Sequence, residues 1–122
     1  MTRLVLESWI LLTAFEADLY RGRFAAVDSA VRKKPTRKDR RFTVEVLCRA
    51  MDLACVFYVK RVFCLQRAAA TTILLRRHGW PAEMVIGAQV MPFKSHAWVE
   101  VQNEVVNDKP YVSEMYLVLQ RC

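Results

Sequence analysis

The chain has 122 residues, is 54% hydrophobic and 25% charged, and carries a formal net charge of +7. That length suits one compact domain with a real core, and the hydrophobic share excludes a disordered chain. The basic balance favours anionic partners (nucleic acid, acidic peptides, phosphates or membrane surfaces) without choosing among them.

Leu4 to Tyr20 reads as a helix whose apolar residues surround much of the circumference, interrupted by Glu7, Glu16 and Asp18. Such a helix is either well buried or docked on something, and we expect Leu4 to Leu19 to contribute to partner contacts. Gly22 supplies a stop, and a shorter helix is predicted over Phe24 to Val31. Arg32 to Arg41 holds seven basic residues and one acidic residue around Pro35. That composition predicts a solvated connector in preference to a dedicated binding patch.

Phe42 to Lys60 is helical in pattern, with Val46, Arg49, Ala50, Leu53 and Phe57 at three- and four-residue steps. Cys64 to His78 is a second central helix, closed by Gly79 and by the extended Trp80-Pro81 pair. The period then changes to two. Glu83 to Val90, Ser95 to Val101 and Glu104 to Asn107 are predicted strands, with Met91-Pro92-Phe93-Lys94 joining the first two. Tyr111 to Leu119 fits a closing helix or a strand.

The four cysteines are Cys48, Cys55, Cys64 and Cys122, and none form a Cys-x-x-Cys pair. Cys48 and Cys55 share one helix face and read as core packing. Cys122 is expected to be too mobile for chemistry. No secretory signal is visible, because acidic residues break the first apolar run and no cleavage site follows. The longest uncharged run, Met84 to Phe93, is ten residues, far short of the roughly 20 of a membrane span. A reducing, cytoplasmic setting with free thiols is expected.

Cys64, His96 and Asp108 are the residues expected to carry chemistry. Between Val62 and Pro81 there is no acidic residue. The positive end of the helix dipole is therefore free to act on the Cys64 sulfur and to favour a thiolate, the form a cysteine nucleophile needs. Strand alternation places Ala97, Val99 and Val101 on one face and His96, Trp98 and Glu100 on the other. Asp108 can orient His96 only from the same side. A two-residue loop at Gln102-Asn103 would pair His96 with Lys109 and send Asp108 away, so a three-residue loop, or a bulge of equal effect, is predicted.

Taken singly, a strand histidine is usually structural, a cysteine at a helix start is often just buried, and an aspartate after asparagine is commonly a turn former. Their ordered conjunction is less easily dismissed. The same three residues could instead ligate a metal, but their spacings lack the local pairing of zinc sites. His78 lies about 20 Å from Cys64 along the helix and cannot serve as the base. Arg67 divides evenly between a surface charge and a substrate or partner contact.

Several runs together resemble the transglutaminase-like cysteine proteases of lasso-peptide biosynthesis. They are Cys64 to Ala68, Leu74 to Ala82, Val85-Ile86-Gly87, Pro92-Phe93, His96 to Val101 and Val106-Asn107-Asp108. The likeness is close over the second half of the chain. It implies an α+β fold with a transglutaminase-like, papain-like core and N-terminal helices packed on a small antiparallel sheet. Residues 1–41 would be a helical segment with a basic linker and 42–122 the protease core, within one compact domain.

The resemblance further implies that Cys64 attacks the leader–core amide of a ribosomally made precursor peptide. His96 would act as base and then acid, and Asp108 would orient it. Arg67, Trp98 and Phe93 are weaker candidates for substrate or partner contact. No room remains for a fused leader-recognition domain, so a separate recognition-element protein is expected to present the leader. The macrolactam-forming cyclase is a further candidate partner. No metal, cofactor or nucleic acid is expected. Gln66 has no assigned role, and the backbone N–H at Cys64 is the one oxyanion donor suggested. Two rival functions remain: acyl transfer to an amine, and a non-catalytic basic peptide-binding module.

Overall fold

The computed structural model describes residues 2–38, 40–90 and 92–122; Asp39 of the basic run and Met91 of the first strand connection lie outside it. The order is α1 (Thr2–Tyr20), α2 (Phe24–Lys33), α3 (Val44–Val56), α4 (Cys64–Arg77), β1 (Ala82–Gln89), β2 (Lys94–Val101), β3 (Glu104–Val105), α5 (Val112–Met115) and β4 (Leu117–Arg121). This is an α+β fold. The four-stranded sheet is antiparallel, with strand order β3-β2-β1-β4.

Helix α4 is the axis of the molecule. Ala68 to Leu75 are all buried, because the alanine run keeps the helix slim enough for neighbours to close around it. Leu12 and Phe15 of α1, Leu47 and Met51 of α3, and Met84, Ala97 and Val99 of the sheet share one core with it. Gly79, at φ +88°, adopts the left-handed conformation that ends α4. The Trp80 N–H then donates to Leu75 O at 2.9 Å and the Gly79 N–H to Arg76 O at 3.2 Å, which satisfies carbonyls that a helix end leaves orphaned.

Helix α3 is shorter than its periodicity predicts. It starts behind Thr43, whose Oγ1 accepts from the Val46 N–H at 3.2 Å. It stops at Val56 because Tyr58 is drawn onto α1, donating to Glu16 Oε2 at 2.7 Å and packing on Trp9. The ambiguous Tyr111–Leu119 segment is both things in turn, the short α5 and then β4.

The other face of the sheet carries a smaller cluster of Val85, Trp98 and Val112, flanked by Tyr116 and Val118. Gly87 makes this face possible. A Cβ there would meet Trp98 Cη2 and Tyr116 Cβ at 2.8 Å each, closer than packed carbon atoms approach. Gly87 is also the cross-strand partner of His96.

Two sequence expectations are corrected here. Cys122 is not mobile: its N–H and C=O both pair with Met84, at 2.9 and 3.0 Å, and its thiol donates to Asp28 Oδ1 at 2.9 Å. The basic run is more than a solvated connector. The Arg37 N–H donates to Arg76 O, Arg40 Nε donates to Gly79 O, and the Arg40 guanidinium lies 4.4 Å from the Trp80 ring centre. Among the described residues, no helix is long and apolar enough to cross a membrane.

Candidate active site

Cys64 is the first residue of α4, and its thiol is free and exposed. The helix start is held from two sides. Gln66, only 1% exposed, accepts from the Phe63 N–H through Oε1 at 3.2 Å and donates to Leu12 O through Nε2 at 2.7 Å. One amide thus caps the first turn and ties it to α1. This is the role that the sequence left open for Gln66, and a glutamine at the third helical position was its only local signal. No acidic residue occupies the first turn, so the positive end of the helix dipole meets Cys64 without a competing carboxylate.

His96 projects from the start of β2. Its Nε2 lies 2.5 Å from Asp108 Oδ2, and the ring packs against Tyr116 at 5.4 Å between centroids and over Trp98 at 6.1 Å. The carboxylate and two aromatic rings leave the imidazole one orientation. With Nε2 turned to Asp108, Nδ1 is the nitrogen left for a reacting group. Asp108 Oδ1 also accepts from the Lys109 N–H at 2.7 Å. Burial pushes the Asp108 carboxyl up, but the bonds from His96 and Lys109 and the charges of His96 and Arg67 outweigh it and hold it below the usual aspartate value.

The route by which Asp108 reaches His96 differs from the sequence expectation. Val101 pairs with Glu104, so the loop is the two-residue Gln102-Asn103 turn, with φ of +52° and +67° as a type I′ hairpin requires. Strict continuation would send Asp108 to the far face. The chain instead leaves the ladder after Val106, whose N–H still donates to Val99 O at 3.0 Å. The Asn107 side chain then takes the next backbone place, Oδ1 accepting from the Val99 N–H at 2.8 Å. Freed from strand alternation, Asp108 turns back to His96.

Cys64, His96 and Asp108 line one groove of about 570 Å³, with Arg67, Phe63 and Asn107 among its other walls. Arg67 is held there by an ion pair with Asp52 of α3. Phe93 is 77% exposed in the β1–β2 connection and is not among the groove walls. Trp98 is corrected outright as a contact residue. It is fully buried beneath His96, and its Nε1 donates to Glu100 Oε2 at 2.8 Å. Its part is to seat the histidine, because Val112 of α5 and Tyr116 pack over the face it shares with His96.

The remaining thiols are placed differently. Burial pushes Cys48 up to about 12 and also raises Cys55. Burial and the Asp28 carboxylate raise Cys122. His78 sits at the opposite end of α4, with Nε2 3.3 Å from Glu7 Oε2. No group of three His, Cys, Asp or Glu side chains with metal-binding geometry occurs among the described residues.

An exposed thiol at a helix start and an imidazole held by a carboxylate thus share one groove. The chain belongs to the transglutaminase-like superfamily, whose sequence profile matches residues 9–121. It is 33% identical over 70 residues to the microcin J25-processing protein McjB of Escherichia coli, covering 56% of this chain and 34% of that protein. The chain therefore spans about a third of that relative's length. No solved structure matches it.

Proposed function

We propose that this chain is a cysteine peptidase that removes the leader from a lasso-peptide precursor. The observation that carries the reading is the His96–Asp108 pair, 2.5 Å apart, on the wall of the groove that also exposes Cys64. The likeness to a microcin-processing protein supports the substrate class.

In this mechanism the Cys64 sulfur bonds to the carbonyl carbon of the scissile amide while His96 Nδ1 takes the thiol proton. The backbone N–H at the start of α4 is placed to donate to the developing oxyanion. The C–N bond then breaks and His96 returns the proton to the leaving amine. Water, deprotonated by the same imidazole, attacks the thioester carbon; the C–S bond breaks, the acid leaves and His96 returns the proton to the Cys64 sulfur. Asp108 keeps Nε2 engaged and balances the imidazolium charge. A separate recognition protein would hold the leader, and a cyclase would act on the released product. The setting we infer is reducing, where the Cys64 thiol stays free.

Cys64→Ala tests the mechanism. Leader cleavage should disappear while precursor and partner binding persist; unchanged cleavage would sink it. Superfamily membership supports a second reading, in which an amine attacks the same thioester. Mass spectrometry of the product separates the two, since hydrolysis yields two fragments and aminolysis a heavier adduct.

A further inference from the structure

A second concavity of about 550 Å³ lies at the other end of α4 from Cys64, and Arg3, Lys34, Arg37, Arg41 and Arg77 all line it. These cations come from α1, from the basic segment after α2 and from the last turn of α4. They are far apart in sequence, so the concentration of charge is a product of the fold.

Among the described residues the one carboxylate in the wall is Glu7, and it is already engaged by Arg77 at 3.4 Å and by His78 at 3.3 Å. Arg3, Lys34 and Arg37 have no carboxylate partner among the described residues. The Arg37 main chain is nonetheless fixed by its bond to Arg76 O. Leu4 and Phe42 add apolar surface to the wall. Arg3, Lys34 and Arg37, gathered in one wall, repel one another and raise the local potential, and an anionic ligand relieves this.

We propose that this pocket is an anion site that grips a carboxylate-rich segment of the peptide on which the groove acts. Guanidinium groups spread over several elements match separate carboxylates along a chain, each in a forked contact. Nucleic acid would instead call for a long open track of cations. The two sites are about one length of α4 apart, roughly 21 Å at 1.5 Å per residue. An extended peptide covers that distance in about seven residues. The anion site rests on its own geometry, whereas the assignment of its ligand to the substrate rests on the peptidase reading.

The test uses the Cys64→Ala protein, so that binding is read without cleavage. A labelled oligoglutamate peptide should bind it, and the oligoglutamine counterpart should not. Replacing both Arg3 and Arg37 with Gln, at exposed positions whose main-chain bonds survive, should weaken oligoglutamate binding about tenfold or more with the thermal melt unchanged. Lys34→Gln gives an independent check should that pair perturb folding.

Absence of oligoglutamate binding, or wild-type affinity in the charge-neutralised variants, would overturn the site. So would tighter, competing binding of inorganic phosphate, oligothymidylate or phosphatidylglycerol vesicles. In the cleaving wild type, glutamates placed about seven residues or more from the scissile bond should lower KM relative to glutamines. The Arg3/Arg37 variant should lose that difference. An unchanged KM in the wild type would overturn the substrate assignment. A wild type that cleaves no peptide would count against the peptidase reading, while the binding measurement decides the anion site by itself.

Discussion

At its first residue α4 presents an exposed thiol to a groove. At its last turn the same helix buries an arginine. Arg76 is 8% exposed and donates to four carbonyls: Ala82 O and Cys122 O at 2.9 Å, Lys34 O at 3.3 Å, and Val31 O. The sequence suggests only a cation suited to the helix dipole. The fold makes it a clasp joining α2, β1 and the end of β4. The contrast teaches that the two ends of one helix are fixed by different means: the Gln66 amide caps the end that exposes Cys64, and a buried guanidinium fastens the other.

The comparison can be broken most severely at the reactive end. Asp108→Asn removes the acceptor that orients His96, and kcat/KM should fall on the order of 10⁴-fold, as when a triad carboxylate is lost. Unfolding free energy should move by no more than about 1 kcal/mol. A large stability loss with normal turnover would reverse the assignment of roles.

The clasp is next. Arg76→Met keeps the bulk but leaves four acceptors without their donor, and should cost at least about 3 kcal/mol in urea unfolding. Cys64→Ala should stay within about 0.5 kcal/mol of wild type. Equal costs at the two ends would dissolve the contrast.

Gly87→Ala sharpens the picture between these extremes. The added methyl group has to displace Trp98 or Tyr116, the rings that seat His96, so a loss of about 1–3 kcal/mol is expected. Activity should fall with it. Full activity in a folded variant would show that those rings do not set the imidazole.

The smallest effect concerns acid. Burial raises the Glu100 carboxyl, but bonds from Arg121 and Trp98 and the Arg121 charge hold it below its ordinary 4.5. Asp108 is likewise held below 3.8. A depressed carboxylate contributes stability that is present above its unfolded value and lost as pH falls through its folded value, so the loss falls below about pH 4.5. Glu100→Gln should therefore lose less stability than wild type between neutral pH and pH of about 3, by chemical denaturation. Equal acid sensitivity would remove Glu100 from the account.

How much was legible depended on the range of the interactions involved. The α1 helix, the start of α4 at Cys64 and its stop at Gly79 follow from local pattern and capping residues. The alternation that sets His96 and Trp98 apart from Ala97 and Val99 follows from strand geometry. What covers the Trp98 face does not, since Val112 of α5 and Tyr116 arrive from later in the chain. Trp98 therefore looked available for contact and is buried. Asp108 shows the same limit at shorter range. Parity predicts an odd loop, whereas a side chain, Asn107, stands in for backbone and releases the chain from parity.

The sequence by itself determined the α+β class and the order of helices and strands as far as β3, because periodicity and caps act within a few residues of one another, and it offered Cys64, His96 and Asp108 as candidates. The tertiary structure alone decided that Gln66 ties the nucleophile's helix to α1, that Arg76 binds four carbonyls, and that Arg3 and Arg77 share a pocket with the basic run. Those outcomes depend on where distant backbone carbonyls and charges come to rest, and only the packed core sets that.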